Sequence, residues 1–239
     1  MKYLYIAYQY LIAFPFLWIW TMLVALITIL FFPIPNAYWL NRLQAVWARM
    51  FCWLMFIPVT VSGEENIKKG QSYVFVANHQ SMFDIWMVYG WLPVIFKWLM
   101  KKELRKIPLV GTACKAVGHI YIDRSSPGAA RESLKVMEKA LRNGISTVIF
   151  PEGTRSANGE VGKFKRGAFQ IAADLNLPVI PISLSGCYEV MKKGAPYVTR
   201  HPIHMHIGEP ISPELFDKDH QTESIEMVRE IIIKNMKQW

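Results

Sequence analysis

Apolar positions fill the first stretch of the chain without a charged interruption. From Tyr3 to Asn41 there is no Asp, Glu, Lys or Arg. Within it, LIAFPFLWIWTMLVALITILFF (11–32) predicts a helix of about 33 Å, close to the thickness of a bilayer core. Pro15 marks its start or a kink, and Pro33 and Pro35 end it. The run is too long for a cleaved leader, and no small-x-small site follows it. It fits either a span or a dip into one leaflet. A second segment, AYWLNRLQAVWARMFCWLMFIP (37–58), puts Arg42 and Arg49 on one helical face with Asn41, Ala45 and Ala48. Trp39, Leu43, Val46, Trp47, Phe51, Trp53 and Leu54 cover much of the rest, the pattern of an interfacial amphipathic helix with Trp and Arg at headgroup level. Packing of this helix on the following domain is a second, compatible reading. Residues 1–62 are thus expected to form a membrane-bound two-helix hairpin, and residues 63–239 a separate domain.

Beyond Gly63 the pattern changes to short apolar runs alternating with helical segments. Strands are predicted at SYVFVA (72–77), within VIFKWLMKKEL (94–104), and at HIYIDR (119–124), STVIF (146–150), PVIPISLS (178–185) and IHMHIG (203–208). Helices are predicted over 81–92, 108–118, 128–144, 167–176 and 223–238. In 128–144, Leu134, Met137 and Leu141 share a face, and Asn143-Gly144 is the stop signal. The alternation predicts an α/β domain with a largely parallel mixed sheet flanked by helices. In such sheets ligands bind beyond the carboxyl ends of the strands, and the polar motifs of this chain fall there.

Composition supports this division. The 239 residues are 52% hydrophobic, and the formal net charge is +9. Lys2, Arg42 and Arg49 are the only charges before Gly63, so that section carries +3 and the remainder +6. A basic surface beside an apolar anchor suits an anionic membrane face or an anionic substrate. Nucleic acid is not an expected partner, because no zinc-finger, helix-turn-helix or RNP pattern is present. Cys52, Cys114 and Cys187 are too scattered for a disulfide framework or a zinc site, and read as buried thiols.

Four segments carry the candidate chemistry. NHQSMFD (78–84) places His79 at a strand end and Asp84 in the first turn of the next helix, with Ser81 a possible N-cap. The carboxylate can then orient an imidazole that acts as general base. Equally, His79 can bond to backbone while Asp84 stabilises a helix start. Arg124 in HIYIDR can grip a phosphate or form a surface ion pair with Asp123. In FPEGTRS (150–156), Gly153 allows a sharp turn with converging backbone N–H groups, a nest for an oxyanion or phosphate. Arg155 adds charge there, Thr154 and Ser156 add hydroxyls, and a Glu152–Arg155 ion pair is the structural alternative. VIPISLSG (179–186) reads as a core strand whose Pro181 implies an edge, a bulge or a site.

These four segments, in this order, resemble the motifs of the glycerolipid acyltransferases, specifically the 1-acylglycerol-3-phosphate acyltransferase family. Asn78, His79 and Asp84 match N-H-x-x-x-x-D. Gly118, Ile122, Asp123 and Arg124 match G-x-x-x-I-D-R. Phe150 to Ser156 match F-P-E-G-T-R-S residue for residue, and Val179 to Ile182 match V-I-P-I. KKEL (101–104), FKRGAF (164–169) and IGEPI (207–211) also look like family segments.

The resemblance implies that His79 and Asp84 are catalytic and that no metal or other cofactor takes part. Arg124, Glu152, Gly153, Thr154, Arg155 and Lys102 would hold the substrate phosphate, with Asn78, Ser81 and Pro181 in support. It implies transfer of a fatty acyl group from acyl-CoA or acyl carrier protein to the free hydroxyl of lysophosphatidic acid, giving phosphatidic acid. The expected setting is the membrane, at the cytoplasmic face. The alternatives are a different acceptor, such as glycerol-3-phosphate or a lyso-aminolipid, and a non-catalytic lipid-binding protein. HPIHMH carries His201, His204 and His206, read as a polar strand face rather than a metal site. Lys97, Lys101, Lys102, Arg105 and Lys106 form a basic patch that suits headgroups, donor phosphates or plain solvation.

Overall fold

The computed structural model describes residues 2–31, 39–122, 127–141, 144–217 and 221–237. The N-terminal helix starts well before the apolar run. α1 (Lys2–Tyr8) passes through a π-helical turn (Gln9–Ala13) into α2 (Phe14–Phe31). The wide turn lies just ahead of Pro15, whose ring has no N–H to return to the residue four positions back, so the chain passes the proline by widening instead of starting there.

What orders the first turns is tertiary contact. The Tyr5 and Tyr8 hydroxyls donate to the carbonyls of Met55 and Leu54 at 2.7 and 2.9 Å. Gln9, fully buried, donates to the Val198 carbonyl and accepts from the Val198 N–H, both at 2.8 Å. Lys2–Phe31 is long and apolar enough to cross a membrane by length and composition. Leu17, Val24, Ala25 and Thr28 face inward, while Leu11, Ile12, Trp18, Ile19 and Leu30 are exposed.

α3 (Trp39–Leu54) buries Leu40, Gln44, Ala48 and Cys52, a stripe of fourth residues that packs on the domain. Arg49, expected at headgroup level, instead donates through Nε to the Gly90 carbonyl at 2.6 Å and lies over the Trp91 ring. Gly90 permits this approach, since a Cβ there would stand 3.0 Å from the Arg49 Cγ. Trp39, Val46 and Trp53 remain outward.

Seven strands among the described residues form one sheet in the order β1-β7-β6-β2-β5-β3-β4. They are β1 (Val59–Ser62), β2 (Val74–Ala77), β3 (Phe96–Lys101), β4 (Ile120–Ile122), β5 (Ser146–Ile149), β6 (Val179–Ser185) and β7 (Ile203–Ile207). All neighbours pair parallel except β6 and β7. The expected mixed, largely parallel sheet is therefore present. β1 was missed, and it moves the domain boundary: VTVS lies before Gly63 yet forms the sheet edge.

The crossovers are α4 (Phe83–Trp91), α5 (Val110–Ala116), α6 (Pro127–Ala140) and α7 (Gly167–Asp174). A short α8 (Cys187–Val190) follows β6, and α9 (Gln221–Lys237) closes the chain. The proposed stop at Asn143 lies outside the described residues. β2, β5 and β6 are buried on both faces, which explains their unbroken apolar sequences. Phe75 and Ala77 point into one core with Phe83, Met87 and Trp98, while Val74 and Val76 point into the other with Met137, Phe169 and Val228.

Pro181 sits in the central strand β6, where the β7 ladder ends. Ile182 pairs with Ile207, but Val179 bridges Ile211, so the partner strand carries one extra residue. Pro181, which has no N–H, lies opposite that bulge, and its carbonyl accepts from the Gly208 N–H at 2.9 Å. Of the readings open for this proline, the bulge is the one realised.

The Gln9 clamp gives a test of how the first helix is held. Gln9→Ala leaves both backbone groups of Val198 without partners and should cost about 2 kcal/mol. Urea unfolding of the detergent-solubilised protein checks this against exposed Tyr3→Ala, which should change nothing measurable.

Candidate functional site

The site lies where β2 and β5, neighbours in the sheet, end. Asn78, fully buried, ties the end of β2 to β6, accepting from the Leu184 N–H at 2.8 Å and donating to its carbonyl at 2.9 Å. The next residue, His79, donates from Nδ1–H to the Oδ2 of Asp84 at 2.9 Å. Asp84 has no exposed surface, and the same Oδ2 accepts from the N–H groups of Gln80 and Ser81 at 2.6 and 2.7 Å. Three donors thus compensate a buried carboxylate. With Nδ1–H so engaged, the Nε2 of His79 carries the lone pair.

Asp84 lies in the first turn of α4 as expected, but Ser81 is not a simple cap. Its Oγ donates to the Met191 carbonyl at 2.8 Å and accepts from the Phe83 N–H at 3.3 Å. It is fully buried and tied off on both sides, which suits a brace and not a nucleophile. Burial pushes the Cys187 thiol well up, and the charge of Asp84 beside it pushes it further. That thiol stays protonated.

The turn after β5 departs from expectation at Glu152. Glu152 was grouped with the phosphate-binding residues, yet its carboxylate is spent on backbone. Oε1 accepts from the His79 N–H at 2.7 Å and Oε2 from the Gly162 N–H at 2.9 Å. Burial raises its pKa, and those two N–H groups work against the rise. A second anion there would repel phosphate, so Glu152 braces the histidine loop instead. Two of the N–H groups of the turn are committed to backbone. The Gly153 N–H closes onto the Phe150 carbonyl at 3.1 Å, and the Ser156 N–H onto the His79 carbonyl at 2.8 Å. Gly153 does take the left-handed conformation, φ 72°.

The cations come from side chains. Arg155 lines a cavity of about 1260 Å³ together with His79, Gly153, Thr154, Lys165 and Lys193. Lys193 Nζ donates to Thr154 Oγ1 at 3.3 Å, and a Cβ on Gly153 would lie 2.8 Å from the Lys165 Nζ. Sequence reasoning missed both lysines. Lys165 stands in FKRGAF, but Lys193, in a loop after α8, has no local signal. Arg124 and the Lys102 side chain lie outside the described residues.

From His79 the cavity wall continues as a file of rings. His79 stacks on Phe150 at 4.0 Å, Phe150 on Trp98 at 5.4 Å, and Trp98 neighbours Tyr89 at 5.9 Å. Tyr89 meets Trp47 at 5.8 Å, and Trp47 Nε1 donates to Thr21 on α2 at 3.0 Å. Val24, Ala25, Leu99, Met100, Val110 and Val117 supply apolar wall. Within it His119 accepts at Nδ1 from the Trp98 backbone N–H at 3.3 Å, and its Nε2 meets the Tyr89 hydroxyl at 2.5 Å. Burial, and then the charge of Lys97, lower the His119 pKa to about 3.

Elsewhere, the expected polar strand face is present. His204 contacts Thr60 Oγ1 through Nδ1 and Ser62 Oγ through Nε2, at 2.7 and 3.0 Å, and His206 Nδ1 contacts Ser62 Oγ at 2.9 Å. The three cysteines are free.

A buried carboxylate, an imidazole with an open nitrogen, adjacent cations and an apolar channel thus meet at one end of an α/β sheet. The acyltransferase family model matches residues 58–185, and the chain belongs to the acyltransferase family. It is 31% identical over 197 residues to the 1-acyl-sn-glycerol-3-phosphate acyltransferase of Cocos nucifera, covering 82% of this chain and 63% of that one. To the Saccharomyces cerevisiae protein of the same name it is 33% identical over 188 residues, covering 77% and 62%. It therefore spans somewhat under two thirds of those relatives. The crystal structure of the 1-acyl-sn-glycerophosphate (LPA) acyltransferase PlsC from Thermotoga maritima superposes with TM-score 0.78 at 28% identity, covering 98% of this chain and 94% of that one.

The His119 environment has a consequence for pH. The unfolded state binds a proton below about pH 6.5 that the folded state refuses down to about pH 3, so stability falls as pH falls through that window. Urea unfolding from pH 7 to 5 should show this, and His119→Gln should flatten the slope by up to about 1.4 kcal/mol per pH unit.

Proposed function

We propose that this chain transfers a fatty acyl group from an acyl thioester, acyl-CoA or acyl carrier protein, to the sn-2 hydroxyl of 1-acylglycerol-3-phosphate. The product is phosphatidic acid. The observation that carries the reading is the shared cavity: the open nitrogen of His79, three cations and an apolar channel line one space. Names carried by relatives across this chain and the PlsC likeness support it.

The acceptor's phosphate lies against Arg155, Lys165 and Lys193, with Arg124 and Lys102 assigned to the same group by their motifs. This sets the hydroxyl at His79 Nε2, which takes its proton as the oxygen attacks the thioester carbonyl. The C–O bond forms, the tetrahedral intermediate collapses, and the C–S bond breaks. The departing thiolate takes the proton back from the imidazolium. Asp84 keeps Nδ1–H in place and stabilises the transient positive charge, the division of labour of the serine-protease triad with a substrate hydroxyl in place of serine. Pre-orientation of the two substrates supplies the rest. No acyl-enzyme, metal or other cofactor enters these steps.

The setting is a membrane surface. Trp18, Ile19, Leu23, Leu30, Trp39 and Trp53 on the N-terminal helices are exposed, and α2 also walls the cavity. An amphiphilic acceptor can then pass from lipid to site without crossing water.

His79→Ala should lower kcat/KM by about a hundredfold or more while vesicle binding is unchanged. Radiolabelled acyl transfer to lysophosphatidic acid measures this, and full activity in the variant would sink the assignment. Arg155→Ala should raise the acceptor's KM about tenfold. A shift confined to the donor's KM would move the phosphate elsewhere.

A further inference from the structure

One exposed apolar segment belongs to neither core. Between β3 and α5 the chain runs through a 3₁₀ helix, Lys102–Lys106, into Ile107, Pro108 and Leu109. Leu104, Ile107 and Leu109 are 38%, 44% and 42% exposed and stand outside both apolar clusters. The Ile107 N–H donates to the Leu104 carbonyl at 3.3 Å. Side chains three apart eclipse in such a turn, so Leu104 and Ile107 share a face. Leu109 takes a left-handed backbone, φ 59° and ψ −54°, in a turn closed by the Val110 N–H on the Pro108 carbonyl at 2.6 Å. That is the strained form of the γ-turn. Gly111 lets the chain double back, since a Cβ there would collide with the Arg105 carbonyl, and the Tyr121 hydroxyl donates to the Gly111 carbonyl at 3.1 Å. The loop is thus held in shape, and its strain ends in a leucine that water wets.

We infer that residues 104–109 form a second membrane contact. Leu104, Ile107 and Leu109 dip into the apolar edge of an anionic bilayer while Arg105 and Lys106 meet its headgroups. The inference rests on the membrane setting given above and adds a contact outside the N-terminal helices. Charge supports it. Arg105 and Lys106, between Leu104 and Ile107, are exposed, and Glu103 is the only acid between Asp84 and Asp123. Apolar tips interspersed with cations fit hydrocarbon beneath anionic headgroups. Position supports it as well. α2 packs on α5, and one cavity is lined by Val24 and Thr28 from α2 and by Leu104 and Val110 from this segment. Leu23, Leu26 and Leu30 of α2 are exposed. The cavity is then flanked by two lipid-contacting elements. The acidic face of a carrier protein would pair with the cations alone, whereas three wetted apolar side chains beside α2 favour lipid.

The test uses the full chain with an environment-sensitive fluorophore at Ile107→Cys, on vesicles of phosphatidylglycerol and brominated phosphatidylcholine. The unsubstituted protein gives the background from partly exposed Cys114. Ile19→Cys on exposed α2 and Lys135→Cys on α6, across the sheet, serve as references. Bromine should quench the Ile107 and Ile19 labels and spare Lys135. Arg105→Ser with Lys106→Ser should weaken docking of the loop by about fivefold per cation, read as lost quenching at Ile107 with Ile19 unchanged. Quenching at Ile19 alone overturns the inference and leaves the membrane setting standing. Quenching at neither overturns both. A shift of the Ile107 emission on adding acyl carrier protein in detergent, without quenching on vesicles, makes the loop a protein dock and overturns the inference too.

Discussion

One buried carboxylate oxygen organises the active end of this molecule. Asp84 lies wholly out of solvent, so its charge must be met by donors the protein supplies. Oδ2 takes three: the N–H groups of Gln80 and Ser81, and the imidazole of His79. The backbone donors curl residues 79–83 around the carboxylate, and the curl turns the imidazole toward it. Ring tautomer and ring direction thus follow from one electrostatic requirement. The spacing from His79 to Asp84 is the length of chain such a curl needs.

A second carboxylate holds the same loop from the other side. Glu152, reaching from the end of β5, takes the His79 N–H and the Gly162 N–H. The Ser156 N–H returns to the His79 carbonyl, so the histidine's backbone is gripped on both its polar groups. This works because β2 and β5 are neighbours in the sheet, in register from Val74–Thr147 to Val76–Ile149. Asn78 adds the link to β6. The central strands therefore bring three chain-distant segments to one point. Their burial on both faces makes that point rigid.

Much of this was legible in the sequence, and the rest was not for a physical reason. Strands buried on both faces announce themselves as apolar runs, and helices as period-3.6 stripes, so the sheet's centre and α6, α7 and α9 could be read locally. The pair His79 and Asp84 sits within one loop and was equally visible. What failed depended on partners far along the chain. β1 is four residues of VTVS that become a strand only by pairing with β7. Arg49 looks like a headgroup ligand until Gly90 comes up against it. Glu152, in a motif dense with phosphate-binding residue types, reads as one of them until the fold delivers two backbone N–H groups to it. Gln9 is one polar residue in an apolar helix, and only Val198, 189 residues away, explains it.

The two histidines on the cavity wall show how environment divides roles between identical side chains. His79 has a carboxylate on Nδ1, a second carboxylate behind its backbone, and a side chain 13% exposed at the cavity. Both carboxylates hold it from the protein side, and its side chain lines the same cavity as Arg155, Lys165 and Lys193. His119 is buried, accepts a hydrogen bond at Nδ1, and feels the charge of Lys97. Each of these favours the neutral ring, which keeps the middle of the channel uncharged. A charge there would be costly among the apolar side chains of the wall. Placing one histidine beside two carboxylates and the other beside a lysine thus separates the polar end of the cavity from its apolar end.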